Sequence, residues 1–157
     1  MDLPYHKPLT QQHLRGFGIE EPWPFGIGGR VMFSELDPLN HVNNRSYLAW
    51  FENVRIAYFA DYGLDDTQGP NPRWVLRATS VDYRKELKLH TDYVVTARTT
   101  RLGRTSFTMD HAVWSAGGLA TFATATIVAV AADGSGAEPL TEATRQVLIA
   151  RDGAGTV

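Results

Sequence analysis

Asp37, Pro38, Asn40, His41, Asn43 and Asn44 crowd into eight positions, "DPLNHVNN", just ahead of an apolar stretch that reads as a helix. An acid beside a helix start is a chemically useful pairing. The first turn of a helix has backbone N–H groups without partners and carries partial positive charge. Such donors hold a carbonyl oxygen that becomes negative as acyl transfer proceeds. A carboxylate just before them can attack the carbonyl carbon or activate a water. Asp37 is the one acid between positions 37 and 44, so it is the candidate for that work. The same residues also have plain structural uses. Asp-Pro starts a turn, because proline fixes the dihedral of the second turn position. Asn40 or Asn43 can cap the helix, and His41 can satisfy backbone carbonyls. The spacing alone leaves both readings open.

The surrounding elements must position this loop. "RVMFSEL" alternates enough to predict a strand leading into it. Residues 44–62 lack Pro and Gly and predict a helix closed by Gly63. Tyr47, Leu48, Trp50, Phe51, Val54, Ile56, Tyr58 and Phe59 spread around its circumference, so the helix is expected to be surrounded. "GLDDTQGPNPR" has loop composition. Four alternating runs follow, "RWVLRATSVDYRKEL", "DYVVTARTTRLG", "RTSFTMDHAVWSA" and "LATFATATIVAVAAD", with "LGRT" and "SAGG" as hairpin breaks. "LTEATRQVLIA" predicts a closing helix capped by Thr141. The fold class is therefore α+β: a single domain with a curved antiparallel sheet of about five strands wrapped around one long central helix.

Residues 1–24, with four prolines, are expected to form an N-terminal arm holding one short helical turn at Gln11–Arg15. Trp23 and Phe25 suggest that it packs on the domain at 25–150. Residues 151–157 read as a C-terminal tail whose last residues fray.

Bulk properties exclude several classes. The 157 residues, 43% hydrophobic and 20% charged, suit one globular domain. A net charge of -2 leaves no footprint for nucleic acid. The absence of Cys removes disulfides and a thiol nucleophile, and the five His show no metal-ligand spacing. No signal pattern or membrane-length apolar run is present, which leads to the expectation of a cytoplasmic protein with no membrane partner.

"ELDPLNHVNNRSYLAWFENVR" resembles the signature of the hot-dog-fold acyl-CoA thioesterases of the 4-hydroxybenzoyl-CoA thioesterase family. Asp37, His41, Val42, Asn43, Asn44, Tyr47, Phe51, Glu52 and Arg55 match its pattern of acid, turn, His-Val-Asn-Asn, Tyr, aromatic, acid and Arg. The resemblance continues through "VDYRKELKLHTDYVV" and "RLGRTSFTMDHAVW", covering roughly residues 27–145. It implies a curved sheet around a long helix and domains paired into a homodimer with a continuous sheet, often assembled into a homotetramer. It also implies a thioester site at the dimer interface. Asp37 is then the catalytic nucleophile or general base, with His41 beside it. Backbone N–H groups near Asn43 and Asn44 polarise the carbonyl. Tyr47, Trp50, Phe51 and Glu52 fall where the acyl pocket is shaped, and Arg101 and Arg104 where CoA phosphates are held. No metal and no cofactor beyond the CoA of the substrate is implied. Two departures stand out. Many relatives have Gly where this chain has Asn40. Plant-type acyl-carrier-protein thioesterases have Asn where this chain has Leu39, so their Asp-Asn-His arrangement is incomplete here.

Two other functions compete with hydrolysis. An acyl-CoA or acyl-carrier binding module would use the same scaffold without turnover. An enoyl-CoA hydratase of this fold would separate Asp and His by four residues, whereas Asp37 and His41 are separated by three.

Overall fold

The computed structural model describes residues 2–65 and 73–157. Most of the loop expected at "GLDDTQGPNPR" lies outside them. In chain order the elements are α1 (Gln11–Gly16), β1 (Phe25–Arg30), a short 3-10 turn (Phe33–Glu35), α2 (Asn44–Asp61), β2 (Arg73–Tyr83), β3 (Asp92–Leu102), β4 (Ser106–Ser115), β5 (Gly118–Val130), α3 (Glu142–Asp152) and β6 (Gly155–Thr156). The sheet runs β1-β3-β4-β5-β2, antiparallel throughout, with β6 added parallel beside the end of β3. It curves around α2, whose Tyr47, Trp50, Phe51, Val54, Tyr58 and Phe59 enter the main core.

The expected strand at "RVMFSEL" sits earlier. Gly26, Gly28 and Gly29 give β1 no alternation to read, yet β1 needs two of them. A Cβ on Gly29 would lie 2.5 Å from the Tyr93 ring, and one on Gly28 would lie 2.8 Å from the Pro4 carbonyl oxygen. After Arg30 the chain leaves the sheet. The Glu35 carboxylate accepts from the Met32 N–H at 2.8 Å, which closes the 3-10 turn.

The helix expected at 44–62 forms at Asn44–Asp61, with Gly63 in the left-handed conformation just beyond it. One reading of it needs correction. The helix is not surrounded: Leu48 and Ile56 stay 45% and 58% exposed, with Glu52 between them on the same face. A count of apolar residues does not say whether one chain supplies all their neighbours.

The arm packs as expected. Hydrogen bonds from the His6 N–H to the Gly28 carbonyl and from the Leu9 N–H to the Gly26 carbonyl, both 2.9 Å, run along the outer edge of β1. Leu9, Leu14, Ile19 and Trp23 then form a second, smaller core with Val94 and Ala112 on the outer sheet face. The last residues are not frayed. Gly155–Thr156 pairs with Arg101–Leu102, and the buried Ala154 joins the main core. With β1 lined by the arm, β2 is the long open edge among the described residues.

Candidate active site

The loop between the 3-10 turn and α2 is closed by a bridge between Leu36 and Val42. Inside it the Asp37 N–H donates to the His41 carbonyl and the Asn40 N–H donates to the Asp37 carbonyl, each at 3.0 Å. Such a tight loop needs one left-handed residue, and Asn40 takes it with φ 60°. Asn tolerates that region better than most side chains, so it closes the turn without a glycine.

The turn fixes the acid. One Asp37 carboxylate oxygen accepts from the Leu39 N–H at 2.8 Å. The other faces His41 Nδ1 at 3.7 Å, beyond hydrogen-bond reach. The side chain is 17% exposed, so this second oxygen is sheltered but has no hydrogen-bond partner among the described residues. His41 Nδ1 lies 3.3 Å from the Val42 carbonyl, and Nε2 lies 3.9 Å from Glu86.

The adjoining helix start is capped in a particular way. Asn43 accepts from the Arg45 N–H at 3.0 Å. The Asn43 N–H donates to the Glu35 carbonyl at 2.8 Å, and the Val42 N–H to the Leu87 carbonyl at 2.9 Å. Of the two amides expected to act, the Asn43 N–H is therefore occupied. The Asn44 N–H has no partner among the described residues. A carboxylate oxygen and a free N–H thus occupy the two sides of one short loop.

Glu35 was not legible as a site residue. It braces the loop to α2 by accepting from Trp50 Nε1 at 2.8 Å while it closes the 3-10 turn. Trp50 in turn stacks on Tyr93, ring centroids 3.9 Å apart. Tyr47 packs edge-on against Trp50 and Tyr83. Phe51 leans on His111 at 5.4 Å. Within one chain, Tyr47, Trp50 and Phe51 are core residues. Glu52 lies instead on the open face of α2, at the rim of a cleft of about 440 Å³ between the helix and β2. Ile56, Phe59, Trp74, Leu76 and Ile127 wall that cleft, and Arg55 reaches it from α2.

Arg101 and Arg104 stand apart from this group. They flank the β3–β4 hairpin, at the end of the sheet where β2 begins, because Arg73 and Ser106 lie two strands apart through Val130 and Val128. Asp37 lies at the other end, where Tyr83 meets the start of α2. The 18 residues of α2 separate the two by roughly 27 Å.

The fold and the loop define a class, and sequence comparison agrees with it. The profile of the thioesterase-like superfamily matches residues 31–148, and the chain belongs to that family. The class is that of thioester hydrolases with a hot-dog fold. A thioesterase-superfamily structure from Jannaschia sp. CCS1 is 38% identical over 96% of this chain and 97% of its own, with a TM-score of 0.90. A thioesterase from Thermus thermophilus, solved with coenzyme A and Zn, is 33% identical over 85% of this chain and 98% of its own, TM-score 0.74. The 1,4-dihydroxy-2-naphthoyl-CoA thioesterase Slr0204 from Synechocystis shares the fold at 16% identity, covering 78% of this chain and 93% of its own, TM-score 0.68. The uncharacterised Bacillus subtilis protein YsmA is 27% identical over 81 residues, 52% of this chain; the match spans 54% of YsmA's length.

Proposed function

We propose that this protein is an acyl-CoA thioesterase in which Asp37 is the catalytic carboxylate. The observation that carries the reading is that one Asp37 oxygen and the Asn44 N–H, on the two flanks of one short loop, both lack a hydrogen bond among the described residues. The thioester carbonyl accepts from Asn44 at the positive end of α2, which stabilises the oxyanion. Asp37 then acts in one of two balanced ways. As nucleophile it forms a mixed anhydride and releases CoA thiolate, which takes a proton; water cleaves the anhydride and restores the carboxylate. As general base it takes a proton from water as the hydroxide adds to the carbonyl and the C–S bond breaks. His41 orients the loop and faces the carboxylate. The reaction as written needs no separate cofactor.

The working unit in this reading is a homodimer. Two features support it. β2 is an open edge of 11 residues, roughly 36 Å long, and such edges are normally covered or paired. The neighbouring face of α2 leaves Leu48 and Ile56 in water. Antiparallel pairing of two β2 strands extends the sheet and covers that face. It also brings the β3–β4 hairpin of one chain towards the Asp37 loop of the other. Arg101 and Arg104 then serve CoA phosphates across the interface, with the bidentate geometry that suits arginine. Tyr47, Trp50 and Phe51 shape the site from behind.

The deciding experiment is thiol release from short, long and aromatic acyl-CoAs by wild type and by Asp37→Asn. Clear wild-type turnover that falls about 1000-fold in the variant is the expected result. Binding of acyl-CoA with no turnover in either protein would select the non-catalytic binding module instead.

A further inference from the structure

Arg55 is a charged side chain in an unusual place. It belongs to α2, is only 8% exposed, and has no hydrogen bond or ion pair among the described residues. Most of the side chain is buried, and with no protein acceptor its guanidinium is left to the cleft, where an anion would meet a partly desolvated cation. Among the described residues Arg55 is also the one cation lining the cleft beside β2, whose other lining residues are aliphatic and aromatic apart from Glu52 at the rim. Beneath α2, the inward-facing His111 of β4 is fully buried with both ring nitrogens unpartnered. Two polar side chains in one region are thus without a hydrogen-bond partner among the described residues. Glu52 at the rim is exposed and beyond ion-pair distance of Arg55; burial lowers the Arg55 pKa, and the Glu52 charge offsets this only in part.

We infer that this cleft receives an acyl group bearing a carboxylate at its far end, with Arg55 as its partner and the apolar walls holding the methylenes between. The inference rests on the thioesterase reading for its chemistry and on the cleft's own composition for its charge preference. Apolar walls suit the chain of any acyl group; an unpaired buried cation suits only one that ends in an anion. If two β2 strands pair antiparallel as proposed above, the Trp74–Leu76 end of the cleft comes beside the far end of the partner strand, the end that adjoins the Asp37 loop. A thioester held there would lay its acyl tail towards Arg55.

The test compares adipyl-CoA and suberyl-CoA with the length-matched hexanoyl-CoA and octanoyl-CoA. Wild type is expected to favour the carboxylated member of each pair by about 30-fold in kcat/KM, the effect of one charge-assisted contact. Arg55→Gln should abolish that preference, and Arg55→Lys should restore part of it. A wild type that hydrolyses the neutral chains as well as the carboxylated ones would overturn the inference and leave the thioesterase reading standing. So would a preference that survives in Arg55→Gln. If no thioester is hydrolysed, that reading falls separately, and calorimetric binding of adipyl-CoA against hexanoyl-CoA decides the role of Arg55. Should Arg55→Gln fail to fold, the wild-type ratio and the Arg55→Lys ratio still decide it. An Arg55 that instead pairs with a carboxylate of the second copy would show loss of dimer in Arg55→Gln with no change in acyl preference, which also overturns the inference.

Discussion

The two ends of α2 each hold an aspartate, and the two have opposite surroundings. At the C-terminal end, Asp152 accepts from the Tyr58 and Tyr62 hydroxyls and the Thr99 N–H, so both its oxygens are taken. Arg151 beside it covers the Tyr62 ring at 3.6 Å and pairs with Asp61 at 2.6 Å. At the N-terminal end, Asp37 uses one oxygen for its own turn and leaves the other free. A carboxylate with both oxygens engaged is a fastening. A sheltered carboxylate with one oxygen left over, in a loop that leads into an open helix N–H, is equipped for chemistry. The count of partners separates the two roles where residue type does not.

Exchanging each acid for a close relative should separate activity from stability. Asp37→Asn keeps an oxygen for the Leu39 N–H, so the about 1000-fold loss of turnover should come with a melting temperature close to wild type. Asp152→Ala should do the reverse. It leaves the buried Tyr58 hydroxyl and its neighbours short of an acceptor, at about 3 kcal/mol. Urea unfolding reads that cost, and thiol release by the folded fraction should stay near the wild-type rate. A large activity loss in Asp152→Ala with intact stability would erase the contrast between the ends.

Between them, the middle of α2 faces a group that should make stability depend on pH. Burial first, and the nearby Arg55 charge second, hold the His111 imidazole down at about 3 from an ordinary 6.5. The unfolded chain therefore takes up a proton in this window before the folded one does. Stability from this source is complete above pH 6.5 and is lost as pH falls towards 3, at up to about 1.4 kcal/mol per pH unit. His111→Leu should flatten that part of the profile in urea melts taken from neutral to acid pH. An unchanged slope would show that the acid sensitivity resides elsewhere.

Much of this was legible in the sequence, for local reasons. Helix α2 is bounded by Asn43 and Gly63, and strands β2 to β5 carry alternation interrupted by short breaks. The "DPLNHVNN" loop announced both a turn and an acid. What was hidden depends on distance in space. Glu35 earns its place only through Trp50, 15 positions away. Asp152 meets Tyr58 across 94 positions, and no periodicity reports such a contact. β1 was displaced because glycine carries no alternation, although Gly29 is there to admit the Tyr93 ring. The open face of α2 was misread because Leu48 and Ile56 look the same whether one chain or two must cover them.

The smallest expected effect concerns backbone shape at the two ends. The C-terminal end turns its corners with glycine, at Gly63 with φ 69° and Gly153 with φ 67°. The Asp37 loop makes the same left-handed turn with Asn40 at φ 60°. Asn40→Gly should be close to neutral, because relief of backbone strain is offset by greater freedom of the unfolded chain. Asn40→Ala adds a Cβ without the local polar contacts that make Asn tolerable, and should cost about 1 kcal/mol. Urea melts of the two variants measure the difference directly. The same pair tests how Asp37 is aimed, since the Asn40 N–H holds the Asp37 carbonyl and the turn presents the free oxygen. Thiol release should survive in Asn40→Gly and fall several-fold in Asn40→Ala. Equal rates in both would mean that the turn supports the fold without directing the carboxylate.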